Sequence, residues 1–192
     1  MHGLIFASLN DYLRDRFGTD AAEDVFQGRF YALAAAHPDA ELVELVQRGA
    51  ERAGLETGEF LRNLGAFTSE HTFSRLYPTY FLMAGDTVSF LLGVEDRIHE
   101  LIRATIPNAT PPALTVRRAG PNSVGIEYGS PRRLCRLLEG LVEGTASHYG
   151  EQAEISETTC MHRGDDACRF EIEIKSSVPP RTSPLRSPGA RA

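Results

Sequence analysis

The stretch DTVSFLLGVEDRIHELIRATIPNATPPALTVRRAGPNSVGIEYGSPR, residues 86–132, decides the fold. Its first part sets Val88, Leu91, Leu92, Ile98 and Ile102 at helical spacing, which predicts a helix with His99 on the apolar side, two turns after Leu92. Pro107 and then Pro111 and Pro112 end that helix, because proline has no amide donor and disfavours helical geometry in the residue before it. The alternation from Ser123 to Tyr128 predicts a strand that delivers Tyr128, Ser130 and Arg132 to the start of a further helix. Ser130 suits an N-cap and Pro131 a first helical position. The free amides of such a terminus favour an anion, to which the Tyr128 hydroxyl and the Arg132 guanidinium add donors.

An inward imidazole and a separate anion clamp match the needs of a haem, whose iron takes a neutral nitrogen and whose propionates take donors. Singly, a histidine on an apolar stripe is ordinarily a core residue, and Ser-Pro at a helix start is ordinary capping. Together and in this order, Met1-His-Gly-Leu-Ile5, His99, Ala109-Thr-Pro-Pro112 and Tyr128-x-Ser130-x-Arg132 resemble the H-NOX family of haem nitric oxide and oxygen binding domains, over about residues 1–175. The resemblance implies haem b held by His99 as axial ligand, with Tyr128, Ser130 and Arg132 on the propionates and Ile5, Leu9, Phe73, Pro112, Leu137 and Leu141 around the pocket. Where oxygen-binding members carry a distal tyrosine, this chain has Leu137, so nitric oxide, and carbon monoxide with it, is the implied ligand rather than oxygen. In the family, signalling runs through strain between the macrocycle and the residues matching Ile5 and Pro112. Members of this length regulate a separate histidine kinase or a cyclic-di-GMP enzyme, a diguanylate cyclase or phosphodiesterase.

Taken from the N-terminus, the apolar spacing predicts helices over Leu4 to Phe17, Ala21 to about Ala36, Asp39 to Gly54 and Glu56 to Leu64, then an aromatic segment with a bend at Pro78 to Phe81. The second half predicts strands at Ala113–Arg118 and Ser123–Tyr128, a helix over Arg132–Ser147, and a second hairpin of Glu154–His162 and Ala167–Lys175. The fold class is therefore α+β, a helical N-terminal part followed by a small antiparallel sheet with packed helices. Residues 1–65 would form the helical distal part, residues 66–175 the proximal part, and the Ser, Pro and Arg rich residues 176–192 a disordered tail.

Composition narrows the function classes. At 192 residues, 42% hydrophobic and 24% charged, the chain suits one domain with a real core. A net charge of -6 without a basic stripe argues against nucleic acid. Apolar runs are too short to cross a bilayer and no basic segment precedes them, which points to a cytoplasmic protein without a membrane partner. Phosphate loops, nucleophile elbows and zinc-protease helices are missing from the sequence, favouring a binding module over an enzyme.

Cys135, Cys160 and Cys168 are too few for a disulfide scaffold. A hairpin turning at Arg163 to Asp165 would set Cys160 and Cys168 opposite one another, and the helix carrying Cys135 must pack on that sheet to bury its leucines. Some H-NOX proteins hold zinc with three cysteines at this spacing and a histidine where this chain has Glu157. Strand alternation favours His162 as fourth ligand, then Glu157, then Asp166. Three buried thiols or a reversible Cys160–Cys168 disulfide are the alternatives, and either zinc or a disulfide would add a redox input. The segment from Cys160 to Phe170 is also similar to the end of four-vinyl-reductase domains, so a haem-free small-molecule or zinc-dependent regulatory module is the second reading.

Overall fold

In the computed structural model, which describes residues 1–176, Leu4, Ile5, Leu9, Tyr12 and Leu13 bury one side of α1 (Gly3–Phe17). Around it pack α2 (Thr19–Phe26), α3 (Asp39–Ala53) and α4 (Thr57–Phe67), whose Phe26, Leu42, Leu45, Phe60 and Leu64 complete an apolar core. Helix α2 stops well short of Ala36. Gln27 and Gly28 take left-handed backbone angles (φ 50° and 74°) that end it, and the chain returns through a loop in which Ala36 pairs with His2.

Beyond α4 the helix widens into a π-helical stretch, Thr68–Phe73, followed by α5 (Ser74–Leu76) and α6 (Pro78–Ala84). The bend expected at Pro78 is the first turn of α6, where a missing amide leaves no partner unsatisfied. Helix α7 (Thr87–Gly93) runs through a second π-helical stretch, Val94–His99, into α8 (Glu100–Thr105). The helix expected through His99 thus forms in three pieces. A π turn takes an extra residue and rotates the face that follows it.

Strands β1 (Ala113–Gly120), β2 (Ser123–Gly129), β3 (Glu151–Thr159) and β4 (Cys168–Ser176) make an antiparallel sheet in the order β1-β2-β4-β3. Register sets Leu114 against Tyr128, Ile126 against Phe170 and Val124 against Ile172, so their side chains build a second core under α9 (Cys135–His148). Helix α9 starts three residues after the expected Arg132. Ser130 to Arg133 form a tight turn instead, in which the Arg133 amide donates to the Ser130 carbonyl at 3.1 Å with Arg133 at φ 51°. Ser130 therefore caps a turn, and no helix N-terminus lies at the Tyr-x-Ser-x-Arg residues.

The other side of α9 meets α4 across a glycine seam. A Cβ added at Gly140 would lie 1.8 Å from the Arg62 carbonyl oxygen, one at Gly144 2.2 Å from that of Ala66, and one at Gly65 2.3 Å from that of Leu137. Backbones touch there, and only glycine fits. Among the described residues, no helix is long and apolar enough to cross a membrane. Ser176, expected to begin the tail, is the last residue of β4, and residues 177–192 lie outside the described part.

Candidate functional site

A large apolar cavity opens between the two cores, enclosing about 1390 Å³ of space that includes its mouth to solvent. One wall comes from α7 to α8, with Phe90, Leu91, Val94, Ile98, His99 and Ile102. Facing walls come from Leu4 and Ile5 of α1, Phe73 and Tyr77, and Leu134, Leu137, Leu138 and Leu141 at and along α9. Pro112, Leu114, Ile126 and Tyr128 close the sheet side.

His99 is 14% exposed and its Nδ1 lies 2.8 Å from Oε2 of Glu95, one turn earlier. Burial lowers its pKa, with the Glu95 hydrogen bond and charge opposing, so the ring is neutral near pH 7. For Glu95, burial works against the carboxylate, but Arg103 and His99 outweigh it and hold its pKa below the ordinary value. A carboxylate on Nδ1 fixes the proton there and leaves Nε2 as a lone-pair donor, the arrangement of a metal-ligating histidine.

A second polar group of the lining centres on Arg132. Arg132 donates from Nη1 to the Thr110 carbonyl (2.7 Å) and from Nη2 to the Thr110 hydroxyl (2.6 Å). Its Nε lies 2.8 Å from Asp39 Oδ1, although the N–H is not aimed along that contact. The same carboxylate oxygen takes the Met1 ammonium at 2.7 Å. Burial raises the pKa of Asp39, but Arg132 and the ammonium win and leave it below the ordinary carboxylate value. Ser130 Oγ accepts from the Arg132 amide at 3.3 Å, and the buried Tyr128 hydroxyl accepts from the Leu134 amide at 3.2 Å. Burial first of all raises the Tyr128 pKa, so it stays a phenol.

The family model described as Haem-NO-binding matches residues 2–157. The chain belongs to the H-NOX family. Members are haem-based gas sensors. Solved H-NOX structures agree in fold. The H-NOX protein of S. oneidensis in its Fe(II)NO state is 29% identical with a TM-score of 0.84, covering 92% of this chain and all (100%) of that one. The Fe(II)CO form from Shewanella oneidensis is 28% identical at TM-score 0.82, covering 91% and 99%. The unliganded Fe(II) H-NOX protein of K. algicida shares the fold at 24% identity and TM-score 0.77, covering 92% and 97%. No curated protein matches the chain by sequence.

Of the residues the H-NOX resemblance assigns to the pocket, Ile5, Phe73, Pro112, Leu137 and Leu141 line the cavity together with His99, Tyr128, Ser130 and Arg132. Leu9 does not. It lies one turn beyond Ile5, fully buried in the helical core with Phe60 and Leu64. Glu95, Asp39 and Thr110 were missed in the sequence. Glu95 was findable, being four residues before the histidine on the same helix face.

The three thiols meet away from the cavity, at the foot of α9. Cys160 Sγ lies 4.0 Å from that of Cys135 and 3.9 Å from that of Cys168, and all are unbonded. A disulfide needs about 2.05 Å. A tetrahedral site with Zn–S bonds of about 2.3 Å needs sulfurs about 3.8 Å apart. Glu157 is the fourth member, every ligand atom of the four lying within 4.8 Å of the others. Its Oε2 pairs with Arg163 at 2.9 Å, while Oε1 is buried without a hydrogen bond.

His162 is not part of the group. Strand β3 ends at Thr159, and a short 3-10 turn, Met161–Arg163, swings the imidazole out to the Arg133 carbonyl at 2.8 Å. Asp166 points elsewhere too, to Arg169 at 3.1 Å. Nor are Cys160 and Cys168 cross-strand partners: Cys168 pairs with Tyr128, and Cys160 lies beyond β3, its carbonyl accepting the Arg163 and Asp165 amides.

Proposed function

We propose that this H-NOX domain, over about residues 1–175, is a haem-based nitric oxide sensor acting on a separate signalling enzyme in the cytoplasm, a histidine kinase or an enzyme of cyclic-di-GMP metabolism. The observation that carries the reading is His99, neutral and oriented by Glu95 on the wall of a cavity with a buried guanidinium among its lining residues. His99 would hold the iron through Nε2. Tyr128, Ser130 and Arg132 would hold the propionates, Arg132 exchanging its bonds to Thr110 for bonds to carboxylate. Haem supplies an iron that takes nitric oxide or carbon monoxide. Ile5, Phe73, Leu137 and Leu141 would exclude water and offer no hydrogen bond to a diatomic ligand, and Pro112 would lie beside the group from the sheet side.

The purified protein should show a Soret band, and His99→Gly should lose protein ligation that added imidazole restores. His99→Gly with an unchanged spectrum would overturn the assignment. A colourless protein that cannot be reconstituted would favour the haem-free regulatory module instead.

Zinc held by Cys135, Cys160 and Cys168 with Glu157 is the second part of the proposal. The sulfur spacing and the unpaired Glu157 Oε1 support it, and oxidation of the thiolates would release the metal.

A further inference from the structure

His2 carries a polar atom that nothing satisfies. Its Nδ1 accepts from the Leu4 amide at 3.0 Å, capping α1, so in the neutral ring the proton sits on Nε2. That Nε2 is buried and has no hydrogen-bond partner among the described residues, and His2 lines the cavity. Burial, the N-terminal ammonium and His37 all lower its pKa, which keeps it neutral. A buried donor without an acceptor is rare in folded proteins and calls for one from outside the chain.

The ring is also firmly placed. His2 bridges to Ala36, the Gly3 amide donates to Ala35 at 2.8 Å, and the His37 amide donates to Met1 at 2.8 Å. A Cβ on Gly3 would fall 1.9 Å from the Ala32 carbonyl oxygen, so the backbone cannot shift toward the loop. The neighbouring Met1 ammonium shares Asp39 Oδ1 with Arg132 Nε, which puts the N-terminus beside the guanidinium of the cavity lining.

We infer that His2 donates Nε2–H to a haem propionate, as a fourth side chain of the clamp formed by Tyr128, Ser130 and Arg132. The inference rests on the haem reading above. A carboxylate is the acceptor that fits: it needs only donors, and its charge compensates the crowded cations of Met1 and Arg132.

The test compares wild type, His2→Asn and His2→Gln, each loaded with haem and with haem dimethyl ester, in the rate of loss to apomyoglobin. Asparagine keeps a capping oxygen near the Nδ1 position but removes the distal donor, whereas glutamine can present an amide N–H farther out. With natural haem, His2→Asn should lose the group about tenfold faster, the size of one hydrogen bond to a charged partner, and His2→Gln should recover part of it. With the ester, whose carbonyl is an uncharged and weaker acceptor, the gap between wild type and His2→Asn should narrow. Equal rates with natural haem, or an equally large difference with the ester, overturn the inference. In the diamagnetic ferrous carbon monoxide complex of wild type, the His2 Nε2–H proton should exchange more slowly with natural haem than with the ester. That measurement decides the matter if His2→Asn fails to fold. Wild type that takes up no haem would count against the haem reading itself, and is recognised by its missing Soret band.

Discussion

Glu95 and His99 form a carboxylate–imidazole pair one helical turn apart, with Oε2 and Nδ1 at 2.8 Å inside the π-helical stretch that ends α7. Glu95→Gln keeps an acceptor and removes the charge. The iron–histidine stretching frequency of the ferrous protein should fall, and haem retention should drop by roughly tenfold to a hundredfold, as for other partners of metal-bound histidines. An unchanged frequency would mean that Glu95 only supports the helix.

Protonation of His99 should be visible in stability. Burial lowers its folded pKa, so the folded apoprotein binds this proton less readily than the unfolded chain does. Stability is therefore lost as pH falls below the unfolded value of about 6.5, and the loss stops growing once pH passes below the folded value. The apoprotein Tm should drop more for wild type than for His99→Gln between about pH 7 and about pH 5. Parallel curves would contradict this.

For the gas, the ferrous protein in air should stay unligated while binding nitric oxide and carbon monoxide. Bound dioxygen carries partial negative charge and gains about 1 kcal/mol or more from a donor, which Leu137 cannot give. Tyr77 also lines the cavity. If a stable oxygen complex forms, the expectation fails, and loss of that complex in Tyr77→Phe would identify the donor.

Pro112 and Ile5 stand on different walls of the cavity. Pro112→Ala should flatten the haem, read in its out-of-plane vibrational bands, and shift partner regulation toward the ligated state without gas. Coupling through these contacts requires a difference between two states. Bands and regulation both unchanged would remove this route.

Reduced protein purified without chelator should hold one zinc per chain, lost in Cys160→Ala and Cys168→Ala, weakened in Glu157→Gln and retained in His162→Ala. Burial chiefly, and then the neighbouring sulfurs, push the thiol of Cys135 well up, and burial raises that of Cys168. Both are protonated near neutral pH. Zinc uptake should consequently release protons and tighten steeply with rising pH. A metal-free protein with a mapped disulfide would leave only the redox input.

What could be read from the sequence was local. Apolar spacing predicts the inward face of His99, while the roles expected of His99, Tyr128 and Arg132 come from the H-NOX resemblance. The π-helical stretches do not, since an extra residue in a turn is stabilised by packing from elsewhere, and so the face carrying His99 was right while the helix around it was not continuous. Leu9 lies outside the lining because α1 is buried on a broad side: Ile5 faces the cavity and Leu9, one turn on, lies in the helical core. His162 lies outside the thiol group because strand alternation, which predicts it there, holds only to Thr159, where the strand ends. Asp39 and Met1 gain their meaning only where distant parts of the chain meet at Arg132.

The glycine seam between α4 and α9 has a mechanical consequence. Backbones in contact through Gly65, Gly140 and Gly144 leave little room for α4 and α9 to slide past one another, so α9 should move with the helical half if the two halves turn. Any relative turn of the two halves must then be taken up where α9 meets the sheet. Cys135 stands on the α9 side of that joint and Cys160 and Cys168 on the sheet side, so a metal held by all three would be a bolt across it. Hydrogen exchange at the first turn of α9 should slow when zinc is bound. The same three sulfurs would then set how far the gas signal can travel.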